Sequence, residues 1–448
     1  MTRRDEGGLG GLSPVRSSAL LAGMVALVLL VSVAIYVVAA RDGDDGGVQA
    51  GGRTPQSSAA PASSGSWVGT WSSSPAGAEP RTLRGYPGRS IRNVVHTSVG
   101  GSSVRITLSN LYGQEPLSIT HGSVAVAAAP SNPTAAAGTL RRLTFGGNHS
   151  VVIAPGEQVV SDAARLQVPS DADLLVTTFS PTASGPVTYH PHARQISYVA
   201  RGDRTEDPRG DAYTQQSPYW RYLTAVDVLS READGTVVVI GDSLTDGISA
   251  TMGANSRWTD VLSDRLRDEA GAPRYSVINQ GISGNRVLSD GLGRPADNPS
   301  GLSRFQRDVL GRSGVKAVVI ALGVNDILRN PHQTDPQKIT DGLRELTRQA
   351  HARGLRVVGA TLMPFGGHRG YSPQLDAVRR AVNTQIRSGK VFDEVVDFDR
   401  ALRDPYQPVK LRAPFDSGDH LHPSDAGFRK MGEAFNLSHL KGSTPAEL

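Results

Sequence analysis

A chain of 448 residues is too long for one ordinary core and suits two domains with extensions. Its formal charge of +5 comes from 47 Lys and Arg against 42 Asp and Glu. The basic residues are scattered and mostly Arg, without the stripe interleaved with aromatics that nucleic-acid binding uses, so no nucleic-acid partner is expected. There is no cysteine, which excludes disulfides, thiolate metal sites and cysteine nucleophiles.

In chain order, residues 1–17 form a short N-terminus carrying Arg3, Arg4 and Arg16, followed over 18–40 by an uncharged apolar run. As a helix rising about 1.5 Å per residue that run spans roughly 34 Å, enough for a bilayer core. Basic residues before it and Asp42, Asp44 and Asp45 after it predict a cytoplasmic N-terminus and an exported remainder, a single-pass cell-membrane protein. The alternative is a signal segment cleaved on secretion. Residues 41–66 are mostly Gly, Ser, Ala, Pro and Asp with almost nothing to bury, which predicts a disordered linker.

Over 67–232 apolar residues alternate in short runs such as Val104, Ile106, Leu108 and Val187, Tyr189, with further strand-like runs at 140–145 and 174–179 between Gly, Pro and Asn turns. Period two with frequent turn signals predicts a β-sandwich, without helices. From 233 to 448 the period changes. Strand-like runs at 237–240, 275–279, 315–321, 355–361 and 395–398 alternate with helical stripes, for example Trp258, Val261, Leu262, Leu266; Leu302, Phe305, Val309; and Ile339, Leu343, Leu346, Ala350. That rhythm predicts an α/β domain in which a parallel five-stranded sheet is covered on both faces. A last helix is expected after Pro423, with Ser424 as N-cap and Phe428, Met431 and Phe435 as its buried stripe.

In such a sheet all strands point their C-terminal ends at one edge, where ligands bind. The first strand runs into Gly241-Asp242-Ser243, the second into a turn holding Gly284, the third into Gly323-Val324-Asn325-Asp326. An unassisted hydroxyl is a poor nucleophile and needs a base and donors for the charge it creates. Ser243 would attack an acyl carbonyl, with the backbone N–H groups of Ser243 and Gly284 and the Asn325 side-chain amide as oxyanion donors. Of the eleven histidines, His422 follows a carboxylate, Asp419, by three residues on a loop entering a helix. That spacing lets Asp419 orient the imidazole that takes the Ser243 proton. His420, one residue from Asp419, is expected to diverge from it. Asp242 and Asp326 are expected to fix loops by accepting hydrogen bonds, and Asp246 to belong to an ordinary turn. His190-Pro191-His192 lacks a third ligand and reads as a solvated strand end, so no metal is expected. The loops 286–300 and 365–371 are expected to shape the pocket, and Tyr219-Trp220 to pack near the domain junction.

Gly241-Asp242-Ser243, Gly284, Gly323-x-Asn325-Asp326 and Asp419-x-x-His422-Pro423 resemble, in order and placement, the four blocks of the SGNH (GDSL-type) hydrolases, over roughly residue 235 to the C-terminus. The resemblance implies a three-layer α/β/α, flavodoxin-like fold and hydrolysis of carboxylic esters through a Ser-His-Asp triad with no metal or other cofactor. The β-region opening at Trp67 is similar to the jelly-roll-like domains that precede such hydrolases in some bacterial carbohydrate esterases. A small-molecule or polysaccharide ester is the expected substrate, O-acetylated carbohydrate first. Lipase or lysophospholipase activity, acyl transfer on the same fold, and a non-catalytic cell-surface carbohydrate-binding protein are the alternatives.

Overall fold

The computed structural model describes residues 65–442. The apolar segment 18–40 and nearly all of the linker lie outside the described residues. Among the described residues no helix is long and apolar enough to cross a membrane.

The N-terminal lobe is built from two main antiparallel sheets. One runs Ser66–Ser72, Leu223–Ser230, Gly101–Ser109, Ala164–Val168, with Gln158–Val160 also on Gly101–Ser109. The other runs Gln215–Ser217, Ser197–Arg201, Arg89–His96, Asp173–Ser180, His121–Val126, Arg141–Arg142. Alternation along the strands sends Val104, Ile106, Leu108, Val124, Leu174, Val176, Val226 and Val228 into a shared core where none is exposed. No described residue before Ser243 is helical.

The run 140–145 forms a strand only at Arg141–Arg142. The Asp162 carboxylate accepts hydrogen bonds from the Thr144 hydroxyl at 2.6 Å and from the N–H groups of Gly146 and Gly147 at 3.1 and 2.8 Å. These contacts draw the chain out of the ladder into a turn.

The C-terminal lobe carries a five-stranded parallel sheet of strands Gly235–Gly241, Tyr275–Gly281, Val315–Ala321, Arg356–Ala360 and Glu394–Val396, in the spatial order second, first, third, fourth, fifth. Val237 to Ile240 are wholly buried because helices or the other lobe cover both faces. The helices Trp258–Asp268, Pro336–His351, Pro373–Arg387 and Asp425–Glu433 turn their apolar stripes inward. Full burial of each such side chain contributes about 1.5–3 kcal/mol. Ser424 caps the last helix by accepting from the Gly427 N–H at 3.2 Å. The fifth strand stops at Val396 because the Asp397 carboxylate accepts from the Arg400 N–H at 3.0 Å and starts the helix Phe398–Leu402.

The two lobes meet on the strand Ser66–Ser72. A Cβ on Gly69 would lie 3.1 Å from Ile278 Cγ2, so the missing side chain lets the strand settle on the parallel sheet, and the Gly69 N–H donates to Thr236 Oγ1 at 3.1 Å.

The stripe Leu302, Phe305, Val309 forms the helix Gly301–Phe305, continued by the wider turn Gln306–Leu310. It carries Arg304, 1% exposed, to the C-terminal edge of the sheet. There the guanidinium donates to Gly241 O (2.9 Å), Gln280 O (2.7 Å), Asn285 Oδ1 (3.0 Å), Ser74 Oγ (2.9 Å) and Asp308 Oδ2 (3.2 Å). Asp308 also faces Arg307 at 2.6 Å and Arg312 at 3.6 Å. Burial alone would raise its carboxyl, but these cations hold it far below the usual carboxylate range. Burial lowers the Arg304 guanidinium to about 10, still protonated at neutral pH. Removing one partner of a buried ion pair leaves the other uncompensated. Asp308→Asn is expected to lower unfolding stability by about 3–5 kcal/mol in urea titration; a loss below about 1 kcal/mol would show that the cluster is not needed to hold the edge together.

Candidate active site

The first strand of the parallel sheet ends at Gly241, and Asp242 caps a one-turn helix Ser243–Asp246 by accepting from the Leu244 N–H at 3.0 Å. Ser243 therefore sits at the first helical position, where its own N–H has no intrahelical acceptor. The C-terminal segment is tied beside this helix. Ser249 Oγ donates to Pro423 O at 2.6 Å, and the Asp425 carboxylate accepts from Thr251 N (3.0 Å), Thr251 Oγ1 (2.5 Å) and Ser256 Oγ (2.7 Å). With the two segments joined, His422 Nε2 lies 2.9 Å from Ser243 Oγ, and His422 Nδ1 lies 2.5 Å from Asp419 Oδ2.

Asp419 Oδ1 accepts the N–H groups of Leu421 and His422 at 3.0 and 2.8 Å, folding the three-residue spacing into a closed loop. Burial pushes its carboxyl up, but the bonds from the His422 ring and these two N–H groups bring it down to about 2, so it is ionised at neutral pH. A carboxylate at Nδ1 places the ring proton there and leaves Nε2 free to accept from the serine hydroxyl. His420, with φ of 64°, turns the other way and pairs with Asp416 at 2.6 Å.

On the facing side the helix Val324–Leu328 presents Asn325, whose Nδ2 donates to Asp242 Oδ2 at 3.2 Å. One amide hydrogen is thus fixed and the other is available. Burial pushes the Asp242 carboxyl up to about 7; the Leu244 N–H pulls against it and the charge of Asp326 adds to it. Asp326 accepts from the N–H groups of Val287 and Leu288 at 2.8 and 3.0 Å, and burial raises its carboxyl to about 6 in spite of them. Both acids therefore fix loops, Asp242 the Asn325 amide and Asp326 the segment after the second strand.

Gly284, with φ of 76°, lies in that segment, and its N–H has no acceptor among the described residues. The residue holding this turn is Asp246. Its Oδ2 accepts from Ser283 N at 3.0 Å and Ser283 Oγ at 2.5 Å, while its Oδ1 lies 3.0 Å from His190 Nε2. His190 Nδ1 donates to Ser74 O at 2.8 Å. A carbonyl on one ring nitrogen and a carboxylate on the other hold the imidazole in place. Burial would raise the Asp246 carboxyl, but the His190 charge and the Ser283 hydroxyl outweigh it and keep it below its ordinary value.

Two sequence expectations are corrected here. His190 is not at a solvated strand end but 4% exposed, because the strand Thr188–His190 lies against the helix Ser243–Asp246. Asp246 is not ordinary turn chemistry but the link from that strand to the Gly284 turn. Its only sequence signal is an acid three residues after the serine. Phe365 is wholly buried and packs edge-on to Tyr371 at 6.2 Å, so it supports the loop 365–371 from the core and does not line a surface. Trp220 is buried edge-on to Trp71, with ring centroids 4.8 Å apart, and donates to Val94 O at 2.7 Å.

A cavity of about 560 Å³ lies between the lobes, lined by Trp71, Trp220, His190, Asp246 and Arg257 among others. None of Ser243, Gly284, Asn325 or His422 lines it. Among the described residues no group of three or more His, Asp or Glu is placed to hold a metal ion.

Residues 239–430 match the model of the GDSL-like lipase/acylhydrolase family. Solved structures similar to this chain include Est24, a carbohydrate acetylesterase from Sinorhizobium meliloti, at 19% identity over 45% of this chain and 95% of that one, TM-score 0.36. LAE5, an alpha/beta hydrolase from the metagenome of Lake Arreo, is similar at 22% identity over 47% of this chain and 98% of that one, TM-score 0.35. A GDSL-like lipase from Bacteroides thetaiotaomicron is similar at 18% identity over 45% and 85%, TM-score 0.33. No curated protein matches the chain. By the match over 239–430 the chain carries a GDSL-like lipase/acylhydrolase domain and is a carboxylic ester hydrolase.

Proposed function

We propose that this hydrolase works through Ser243 as nucleophile, His422 as general base and acid, and Asp419 as the group that orients and balances the imidazolium. Ser243 Oγ bonds to the ester carbonyl carbon while its proton passes to His422 Nε2. The N–H groups of Ser243 and Gly284 and the free hydrogen of the Asn325 amide receive the charge on the carbonyl oxygen. Collapse expels the alcohol, which takes the proton from His422 and leaves an acyl-serine. Water then gives its proton to His422 and attacks that ester, and the acid departs as Ser243 regains its proton. What supports this reading is the relay Asp419–His422–Ser243, with steps of 2.5 and 2.9 Å.

Asp242, Asp246 and His190 act on the geometry of the donors and not on the reacting atoms. Asp242 holds the Asn325 amide, and Asp246 holds the Ser283–Gly284 turn with His190 behind it.

The proposed setting is outside the cell, the domain tethered through the apolar segment 18–40, with secretion after cleavage as the alternative. Export and the upstream β-lobe favour O-acetylated carbohydrate over phospholipid as substrate.

With a chromogenic short-acyl ester, Ser243→Ala and His422→Ala are each expected to lower kcat by about 10⁴-fold or more. Asn325→Ala should lose about 10²–10³-fold. His190→Gln should lower kcat with little change in KM, because it loosens donors used in the transition state. Retention of full activity by the serine or histidine variant overturns the mechanism.

The Asp242 carboxyl binds its proton more tightly folded, at about 7, than at its ordinary 3.8. Its contribution thus favours folding below about pH 4 and is lost as pH rises through about 7. Asp242→Asn, which keeps an acceptor oxygen for Leu244, should gain on the wild type in urea stability between about pH 4 and pH 8. Parallel profiles across that window would contradict the assignment.

The outward topology predicts that protease added to intact cells removes the domain while a cytoplasmic marker survives. Protection of both reverses the orientation.

A further inference from the structure

The turn that holds Gly284 has a second neighbour, on the side away from Asp246. A Cβ on Gly284 would overlap the Arg329 guanidinium at Nη1, Nη2 and Cζ together, so the flat group is laid against the glycine in the space a side chain would fill. Arg329 follows the helix Val324–Leu328 that presents Asn325, and its N–H bonds to Asn325 O at 3.1 Å. The guanidinium therefore adjoins one of the three proposed oxyanion donors, and its residue follows the helix that presents another. It is exposed and has no hydrogen-bond or ion-pair partner among the described residues.

That lack of a partner is unusual on this rim. The carboxylates around the site are taken: Asp419 by His422, Asp416 by His420, Asp242 by Leu244 and Asn325, and Asp326 by the backbone of 287–288. The arginines of this rim, by contrast, have no ion pair among the described residues. Arg286 Nη2 donates to Asn330 O at 2.6 Å, next to Arg329 in sequence. The loop 366–371 brings His368 and Arg369 to the same helix end, since a Cβ on Gly370 would lie 3.3 Å from His368 Nδ1 and 3.7 Å from Leu328 Cδ2. Burial keeps the His368 imidazole below its ordinary value, with Arg369, His422 and His420 lowering it further against Asp419. Arg329 and Arg369 are the exposed, unpaired cations of this group.

Resting on the ester-hydrolase reading, we infer that Arg329 is an anion subsite beside the oxyanion donors, and that the preferred ester carries a carboxylate or similar oxyanionic group close to the scissile carbonyl. A planar guanidinium with free N–H groups receives such a group through paired, charge-assisted bonds. The anion sits on the acyl side or the alcohol side of the ester, and the chemistry recognised is the same.

The test uses two matched pairs of esters. For the acyl side, 4-nitrophenyl hydrogen succinate is compared with its methyl ester; for the alcohol side, 2-acetoxybenzoate is compared with methyl 2-acetoxybenzoate. In one pair at least, the wild-type enzyme should favour the anionic member in kcat/KM by about tenfold, equivalent to about 1.4 kcal/mol. Arg329→Gln should reduce that ratio at least about fivefold.

In the wild type alone, raising ionic strength from about 0.01 M to about 1 M shortens the screening length from about 30 to about 3 Å and should shrink the same ratio, which keeps the test open if the variant does not fold. The pair that responds tells which side of the ester carries the charge. Absence of anionic preference in both pairs, or an equal loss on both members in Arg329→Gln, overturns the subsite. Failure of the wild type to turn over any of the four esters counts instead against the hydrolase reading on which it rests.

Discussion

A buried arginine holds the candidate active site in register. Arg304 places one guanidinium against Gly241 O, Gln280 O and Asn285, which lie two residues before the serine, at the end of the second strand and just after Gly284. Those carbonyls lie at the strand ends and take donors beyond what the backbone gives them, such as the Ile282 N–H on Gly241 O at 3.1 Å. A single planar cation with five N–H groups supplies those further donors, and Asp308 makes the charge tolerable in the interior. The serine and the Gly284 turn are therefore fixed relative to one another before any substrate is considered.

The same region explains why the upstream β-lobe is more than an appendage. Ser74 reaches Arg304, and the strand Thr188–His190 reaches Asp246, so both buried polar clusters under the site are completed from the other lobe. A hydrolase lobe on its own would leave His190's place empty and Asp246 without that partner. Preorganised donors are effective only when their supports are rigid. Here the support is an interlobe contact made close by Gly69, which lets a strand lie against Ile278.

On the opposite side of the Gly284 turn the surroundings change from buried and paired to exposed and unpaired. The Arg329 guanidinium occupies the space of a side chain without being neutralised. The turn is thus held from below by a carboxylate and flanked at the surface by a cation, so the field across it favours negative charge at the rim.

A short stretch of chain reveals only what its own residues and their spacing encode. The change from period two to helical spacing near residue 233 marked where parallel strands begin, because each period reflects which faces are covered. The meeting of Asp242, Ser243, Asn325 and Asp326 at one edge was legible because strand ends in a parallel sheet share it, and the contact of Asp419 with His422 because a three-residue spacing closes one onto the other. Tertiary structure decided the rest. His190, Arg304 and Arg329 act on residues distant in the chain, and nothing in their neighbours' periodicity or charge sets them apart from other histidines and arginines. Whether a polar side chain is solvated, as His190 was expected to be, or buried against a carboxylate depends on what packs over it, and local spacing does not carry that information.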